Sequence, residues 1–290
     1  VAPPLNERAS DKRLMFLLGG ASGIGLAIVE LLAQSSNKFA ILDISLAAAE
    51  TQIKSLRLKY PASTFSFYAC DISNWEEQAS AFKKAYQDMG SIDIVFANAG
   101  VVEIGQFLQT NNDEPAKPNL KTLEVNLVGT LYTVNLAVHY FRKNQSIQCK
   151  GSLICTSSNA GLYEFPFAPI YSASKHGVVG LVRSFAAPLE QEGIQINAIC
   201  PNVIRTGLGD NKLMEVMKCT PMSVAMDAIV EFLSKPLLTG RVAEISGDRF
   251  TFREAPEWVD AITKENSDAF WASVKDHTKE LSDVIITSRS

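Results

Sequence analysis

Apolar and polar positions follow two rhythms along this chain. Short runs that are apolar at nearly every position occur at 13–18, 39–42, 65–69, 92–97, 152–156, 195–199 and 242–245. They are too short for helices and read as strands buried on both faces. Between them, apolar residues recur three and four apart at 24–34, 47–59, 75–89, 120–142, 171–191 and 223–233, the spacing of helices with one buried side. Strand and helix in strict alternation imply a parallel sheet covered by helices on both faces. The pattern predicts a single doubly wound α/β domain with a seven-stranded parallel sheet over residues 1–250. It changes over 251–290, where "APEWVDAIT" and "SDAFWASVKDHTKEL" read as two amphipathic stretches of a C-terminal helical extension of the same domain. Aromatic positions there, from Trp258 to Trp271, suit a cover over a pocket or a buried oligomer seam, and the pattern leaves both open.

Two helical patterns are apolar on more than one face. One, at 120–142, includes Leu127, Leu131, Val134 and Val138. The other, at 172–191, includes Val178, Leu181, Val182 and Phe185. A helix apolar all round is covered on both sides.

Composition narrows the function classes. The chain has 290 residues, 47% hydrophobic and 20% charged, enough apolar material for a large core. Its formal charge is −4 and no Lys/Arg-rich run stands out, so no nucleic-acid partner is expected. No apolar stretch approaches the roughly 18 residues of a membrane span. The leading "VAPPLNERASDKR" lacks the apolar core of a signal peptide. The five cysteines form no C-x-x-C pair, which suggests reduced thiols and a cytoplasmic location. His139, His176 and His277 are dispersed, and no metal site is expected.

Chemistry first appears where the first strand meets the first helix. In "FLLGGASGIGLAI", Gly19, Gly23 and Gly25 have the spacing G-x-x-x-G-x-G. Glycines there let the backbone turn tightly and approach a pyrophosphate at a helix N-terminus, as in Rossmann-like dinucleotide folds. Asp43 closes the second strand eighteen residues after Gly25, where such a fold places the acid that holds the adenosine ribose. A structural turn and a helix N-cap aspartate are the plainer alternatives. Further on, "YSASK" sets Tyr171 and Lys175 four apart, one helical turn, hence on one face. Alone, that pair also fits an aromatic resting on a lysine stem.

Together with "CDI" at 70–72, "NAG" at 98–100, "VNLVGT" at 125–130 and "TSS" at 156–158, these segments resemble the short-chain dehydrogenase/reductase family, in order, from about residue 13 to 247. The resemblance implies a catalytic set. Asn126 would hold a water in a proton relay, Ser158 would bond the substrate oxygen, Tyr171 would be the acid/base, and Lys175 would bind the nicotinamide ribose. A brace on backbone remains the alternative for Asn126, and a strand-end hydroxyl for Ser158. The resemblance also implies cofactor contacts from Gly19, Ser22, Gly23, Ile24 and Gly25, from Asp43 and Ile44, and from Asp71 and Ile72. Others would come from Asn98, Ala99 and Gly100, from Tyr171 and Lys175, and from Pro201, Val203, Ile204 and Thr206. The family commonly pairs the two long helices across two-fold axes, which implies a homodimer or homotetramer.

Three positions depart from the family pattern: Leu18 for threonine, Ala97 for asparagine, and Asn202 for glycine after Pro201. The first two remove loop-bracing hydrogen bonds, each worth about 1 kcal/mol. The third calls for a residue that tolerates left-handed geometry, as Asn does.

A free phenol has a pKa near 10, too high for a base at neutral pH. A nearby ammonium and a positive nicotinamide ring would favour the phenolate. With Asp43 beside an uncharged turn, the cofactor expected is NAD. The segment 161–170, with Leu162, Tyr163, Phe165 and Phe167, and a Leu- and Met-rich lid at 205–223 suggest an apolar secondary alcohol or ketone as substrate. Oxidation is the expected direction. An NADH-dependent ketone reductase, a non-redox enzyme and a dinucleotide sensor on the same scaffold are the competing readings.

Overall fold

The computed structural model describes residues 13–105, 107–108, 114–145, 149–207 and 215–273. One sheet organises them. Its parallel strands are β1 Leu14–Leu18, β2 Lys38–Asp43, β3 Thr64–Ala69, β4 Ile94–Ala97, β5 Gly151–Thr156, β6 Ile194–Pro201 and β7 Val242–Ser246. An eighth strand, β8 Arg249–Phe252, pairs antiparallel with β7. The sequence pattern missed it because four residues carry little periodicity. The two-residue loop Gly247-Asp248, with Gly247 at φ 63°, is the hairpin cue that was present. The expected boundary at 250 falls inside β8. Chain contacts divide the protein into Val1–Arg253 and Glu254–Ser290.

The sheet order is β3-β2-β1-β4-β5-β6-β7-β8. Order reverses between β1 and β4, so the crevice of this fold opens at their carboxyl ends, where Leu18 pairs with Leu42 and Ala97. Alternation within β1 builds two cores. Leu14, Phe16 and Leu18 pack with α3 (Trp75–Met89), with α4 and with α5 (Pro169–Gln191). Helix α4 is continuous through Lys121–Leu123, a π-helical stretch Glu124–Val128, and Gly129–Phe141. Met15 and Leu17 pack with α1 (Gly23–Leu32), α2 (Leu46–Lys59) and α6 (Met222–Ser234).

Helix α5 starts two residues before its expected first residue, with Pro169 in the first turn, where a missing N–H costs nothing. Among the described residues no helix is long and apolar enough to cross a membrane. Among its described residues the second unit has one helix, α7 at 261–273, which takes in the end of the first expected stretch and the start of the second. Pro256 disfavours helical geometry at Ala255, and Asp260 caps α7 by accepting from the Thr263 N–H at 2.7 Å. Positions 274–281 of the second stretch lie outside the described residues.

Candidate active site

The glycine turn and the acid meet at the mouth of the crevice. Gly19 (φ 68°) and Gly23 (φ 53°) adopt left-handed geometry that L side chains rarely take. Gly25 is needed for closeness instead: a Cβ there would lie 2.1 Å from the Gly19 carbonyl oxygen. At Gly23 a Cβ would meet Thr206 at 3.2 Å, which places Thr206 over the turn. Asp43 Oδ2 accepts from the Ala21 N–H at 3.3 Å, and Oδ1 from the Ser45 N–H at 3.2 Å. The carboxylate is thus fixed against the turn, with Ser22 and Ile44 exposed beside it and Ile24 half-buried in the first turn of α1.

Asn98 ties three strand ends together. Its Nδ2 donates to the Gly19 carbonyl at 3.2 Å, and its Oδ1 accepts from Thr156 Oγ1 at 3.0 Å. These bonds brace the turn without help from Leu18 and Ala97, which are buried core residues. Asp71 accepts from Ser73 Oγ at 2.6 Å and from Lys121 Nζ at 3.3 Å. Its carboxyl is held below its usual range: burial raises it, and these partners more than offset that. Ile72 is fixed by Gln78, which is fully buried and whose Nε2 donates to the carbonyls of Ile72 at 2.5 Å and Gly129 at 2.9 Å. Sequence reading missed Gln78. Its position one turn before Phe82, on the core face of α3, was the available cue, because a polar group there needs buried partners.

The π-helical stretch carries Asn126. Its Oδ1 accepts from the Val101 N–H at 2.8 Å, and its Nδ2 donates to the Val101 carbonyl at 2.9 Å and to Ser174 Oγ at 3.2 Å. The side chain therefore braces the backbone of Val101. Ser158 follows β5. Its Oγ caps the short turn Asn159–Gly161 by accepting from the Ala160 N–H at 3.2 Å, and it donates to Asn159 Oδ1 at 3.1 Å.

Tyr171 and Lys175 share one face of α5, with Lys175 Nζ 5.6 Å from the Tyr171 ring centroid. Lys175 is buried, and its ammonium donates to the Thr156 carbonyl at 3.0 Å. Burial pulls it down to about 8, partly countered by the Cys200 and Cys155 thiols. Burial pushes the Tyr171 phenol up, and the hydrogen bond to Ser158 pulls the other way. The expected lowering of the phenol by the lysine is thus opposed by desolvation. Gly100 lies beside both helices: a Cβ there would sit 3.1 Å from Asn126 Oδ1 and 3.4 Å from Lys175 Nζ. Ala99 lies against the turn, since a Cβ on Gly19 would meet its Cα at 2.8 Å.

After Pro201, Asn202 is not left-handed: among the described residues Ser36 is the one non-glycine with positive φ. The expected left-handed turn is absent. Asn202 Oδ1 instead accepts from the N–H of the next residue, Val203, at 2.9 Å. The Thr220 N–H donates to the Val203 carbonyl at 2.7 Å and Ile204 bridges Thr220, so the two ends of the expected lid lie together. Its residues 208–214 lie outside the described residues. Beside Tyr171, the Phe165 ring sits 6.4 Å away, and Tyr163, Phe165 and Phe167 are exposed.

The residues present fit a dinucleotide: Gly19 and Gly23 give the turn its left-handed geometry, Gly25 lets α1 start against the Gly19 carbonyl, and Asp43 is fixed at the end of β2. Comparisons with known proteins point the same way. The family model described as short chain dehydrogenase matches residues 13–215. The chain is 32% identical over 275 residues to the short-chain dehydrogenase/reductase prx7 of Penicillium rubens, covering 85% of this chain and 95% of that one. It is 33% identical over 198 residues to the human 15-hydroxyprostaglandin dehydrogenase [NAD(+)], covering 68% and 70%. The structure of the NADPH-dependent 3-quinuclidinone reductase from Rhodotorula rubra is similar at a TM-score of 0.69 and 25% identity, covering 85% and 97%.

Proposed function

We propose that this chain, which belongs to the short-chain dehydrogenase/reductase family of oxidoreductases, uses NAD to oxidise an apolar secondary alcohol to its ketone. The observation that carries the reading is the buried Lys175 ammonium 5.6 Å from the Tyr171 ring on one face of α5, with the Ser158 hydroxyl pulling the phenol's ionisation down. When bound, the nicotinamide supplies the hydride acceptor. Ser158 holds the alcohol oxygen and orients its carbon. Tyr171 takes the hydroxyl proton as the C–H electron pair leaves with hydrogen, so the alcohol loses one hydride and one proton. Lys175 stabilises the phenolate from the same helix face. In the reverse direction the Tyr171 phenol returns the proton.

Asp43 supports NAD. A carboxylate at this place accepts from ribose hydroxyls and repels the extra phosphate of NADP. Gly20, Ala21, Ser22, Ile44 and Ser45 around it carry no charge. The exposed rings of Tyr163, Phe165 and Phe167 support an apolar substrate. Leu131 on α4 and Phe185 on α5 are exposed apolar side chains, which supports a homodimer or homotetramer through these helices.

The test is a panel of apolar secondary alcohols and ketones with NAD, NADP and their reduced forms, read by nicotinamide absorbance. NAD with alcohols should lead, with at least about a hundredfold preference over NADP in kcat/KM. Equal use of NADPH would end the reading of Asp43. Product formation without an absorbance change would point to non-redox chemistry.

A further inference from the structure

We propose that Glu103, on the loop after β4, is a positioning residue: its carboxylate clamps the N-terminus of α5 and fixes the backbone of Tyr171. Helix α5 cannot cap itself. Its N-cap position is Ala168, with no side-chain acceptor, and its first turn holds no acidic residue. The first N–H groups of a helix need partners from outside it. Pro169 has no N–H, and the Ser172 N–H already donates to the Ala168 carbonyl at 2.9 Å. That leaves the N–H groups of Ile170 and Tyr171. Glu103 takes both: Oε2 accepts from Tyr171 N at 2.6 Å and Oε1 lies 3.4 Å from Ile170 N. A carboxylate at this end is also favoured by the helix dipole, and hydrogen bonds to an ionised acceptor are the stronger kind.

The loop is itself pinned, so the clamp has a fixed base. Buried Thr122 accepts from the Ile104 N–H at 3.1 Å and donates to the Val102 carbonyl at 3.2 Å. One turn along α4, Asn126 holds both backbone groups of Val101. The same Asn126 donates to Ser174 Oγ, which donates to the Tyr171 carbonyl at 2.7 Å. Tyr171 is thereby held at its N–H through Glu103 and at its carbonyl through Ser174, and both supports trace back to α4. The phenol lies at the far end of a long side chain, so a small tilt of α5 displaces it from Ser158, and such displacement is costly to rate.

The inference rests on the proposed role of Tyr171, and its test separates the two. Hydrogen exchange of the 170–171 amides is measured in the wild type, Glu103→Ala and Glu103→Gln, alongside kcat and KM with NAD and 2-octanol or 1-phenylethanol. In Glu103→Ala, exchange at these amides should rise about tenfold or more and kcat fall about tenfold, with KM for NAD within about threefold. Glu103→Gln keeps an acceptor oxygen and should recover most of the loss. Unchanged exchange in Glu103→Ala overturns the clamp. Faster exchange with unchanged kcat overturns the positioning role. If Glu103→Ala does not fold, exchange at 170–171 in Glu103→Gln decides: no increase over wild type overturns the clamp. A wild type inert on both alcohols defeats the proposed function, and the exchange result still decides the clamp.

Discussion

The two sides of the crevice are built in opposite ways. On the side of β1 and β2, backbone does the work. Gly19 and Gly23 supply left-handed geometry, Gly25 lets α1 approach the Gly19 carbonyl, and Asp43 is fixed by the N–H groups of Ala21 and Ser45. On the side of β5 and α5, side chains do it. Ser158, Tyr171 and Lys175 face one another, and burial shifts two of them away from their ordinary ionisation. A backbone cradle fails when atoms are added. A side-chain site fails when a single functional atom is removed. The two sides should therefore break under opposite kinds of substitution and in different kinetic parameters.

The largest effect is expected on the side-chain side. Tyr171→Phe deletes one oxygen and keeps the ring. Turnover should fall at least about a hundredfold, the scale of acid–base catalysis, while NADH affinity stays within a few-fold. Near-normal turnover would remove Tyr171 from the chemistry and collapse the contrast.

Gly25→Ala probes the other side. The added methyl meets the Gly19 carbonyl oxygen at 2.1 Å and Asn98 Nδ2 at 2.8 Å. The first contact is backbone, so α1 must shift from the turn, at about 1–3 kcal/mol by analogy with overpacked cores. NADH affinity, followed by fluorescence, should fall about tenfold, with kcat at saturating cofactor little changed. Unaltered affinity would show that the turn does not act as the cradle.

The same contrast explains what the sequence made legible. Backbone cradles announce themselves by spacing, and G-x-x-x-G-x-G after a buried strand placed the turn and Asp43 correctly. The shared face of Tyr171 and Lys175 was legible because the two lie one turn apart. What escaped depends on contacts between distant segments. Gln78 reaches Gly129 across 51 positions and Glu103 reaches Tyr171 across 68, and no local periodicity encodes either. The π-helical stretch around Asn126 escaped too, because its residues fit an ordinary helix pattern. Asn202 was misjudged as well: its backbone is not left-handed, and its Oδ1 accepts from the neighbouring Val203 N–H.

A pH dependence gives an effect no larger per pH unit than that of Gly25→Ala, and it tests the electrostatics of the side-chain side alone. Lys175 is brought from its ordinary 10.5 down to about 8, chiefly by burial, while burial pushes the Tyr171 phenol up. We take the two groups, with Lys175 Nζ 5.6 Å from the Tyr171 ring centroid, to share one proton, so that the first leaves near pH 8. Oxidation needs the pair one proton short, because Tyr171 must accept. Below about 8, kcat/KM for oxidation, which reports the free protein's groups, should fall about tenfold per pH unit. Reduction needs the protonated pair and should fall as pH rises above 8. Stability is the wrong readout. A lysine depressed in the fold makes stability rise with pH between 8 and 10.5, since the unfolded chain binds the extra proton. The buried thiols of Cys70, Cys155 and Cys200, pushed from 9.0 up to about 12 by burial, act oppositely above 9. Lys175→Met isolates the kinetic term. It removes the proton lost near 8 and leaves a buried phenol, so the break in the oxidation profile should move above 10. A wild-type profile flat between pH 6.5 and 8 would mean that Lys175 does not set the ionisation of Tyr171, and that the two residues share a helix face without sharing a proton.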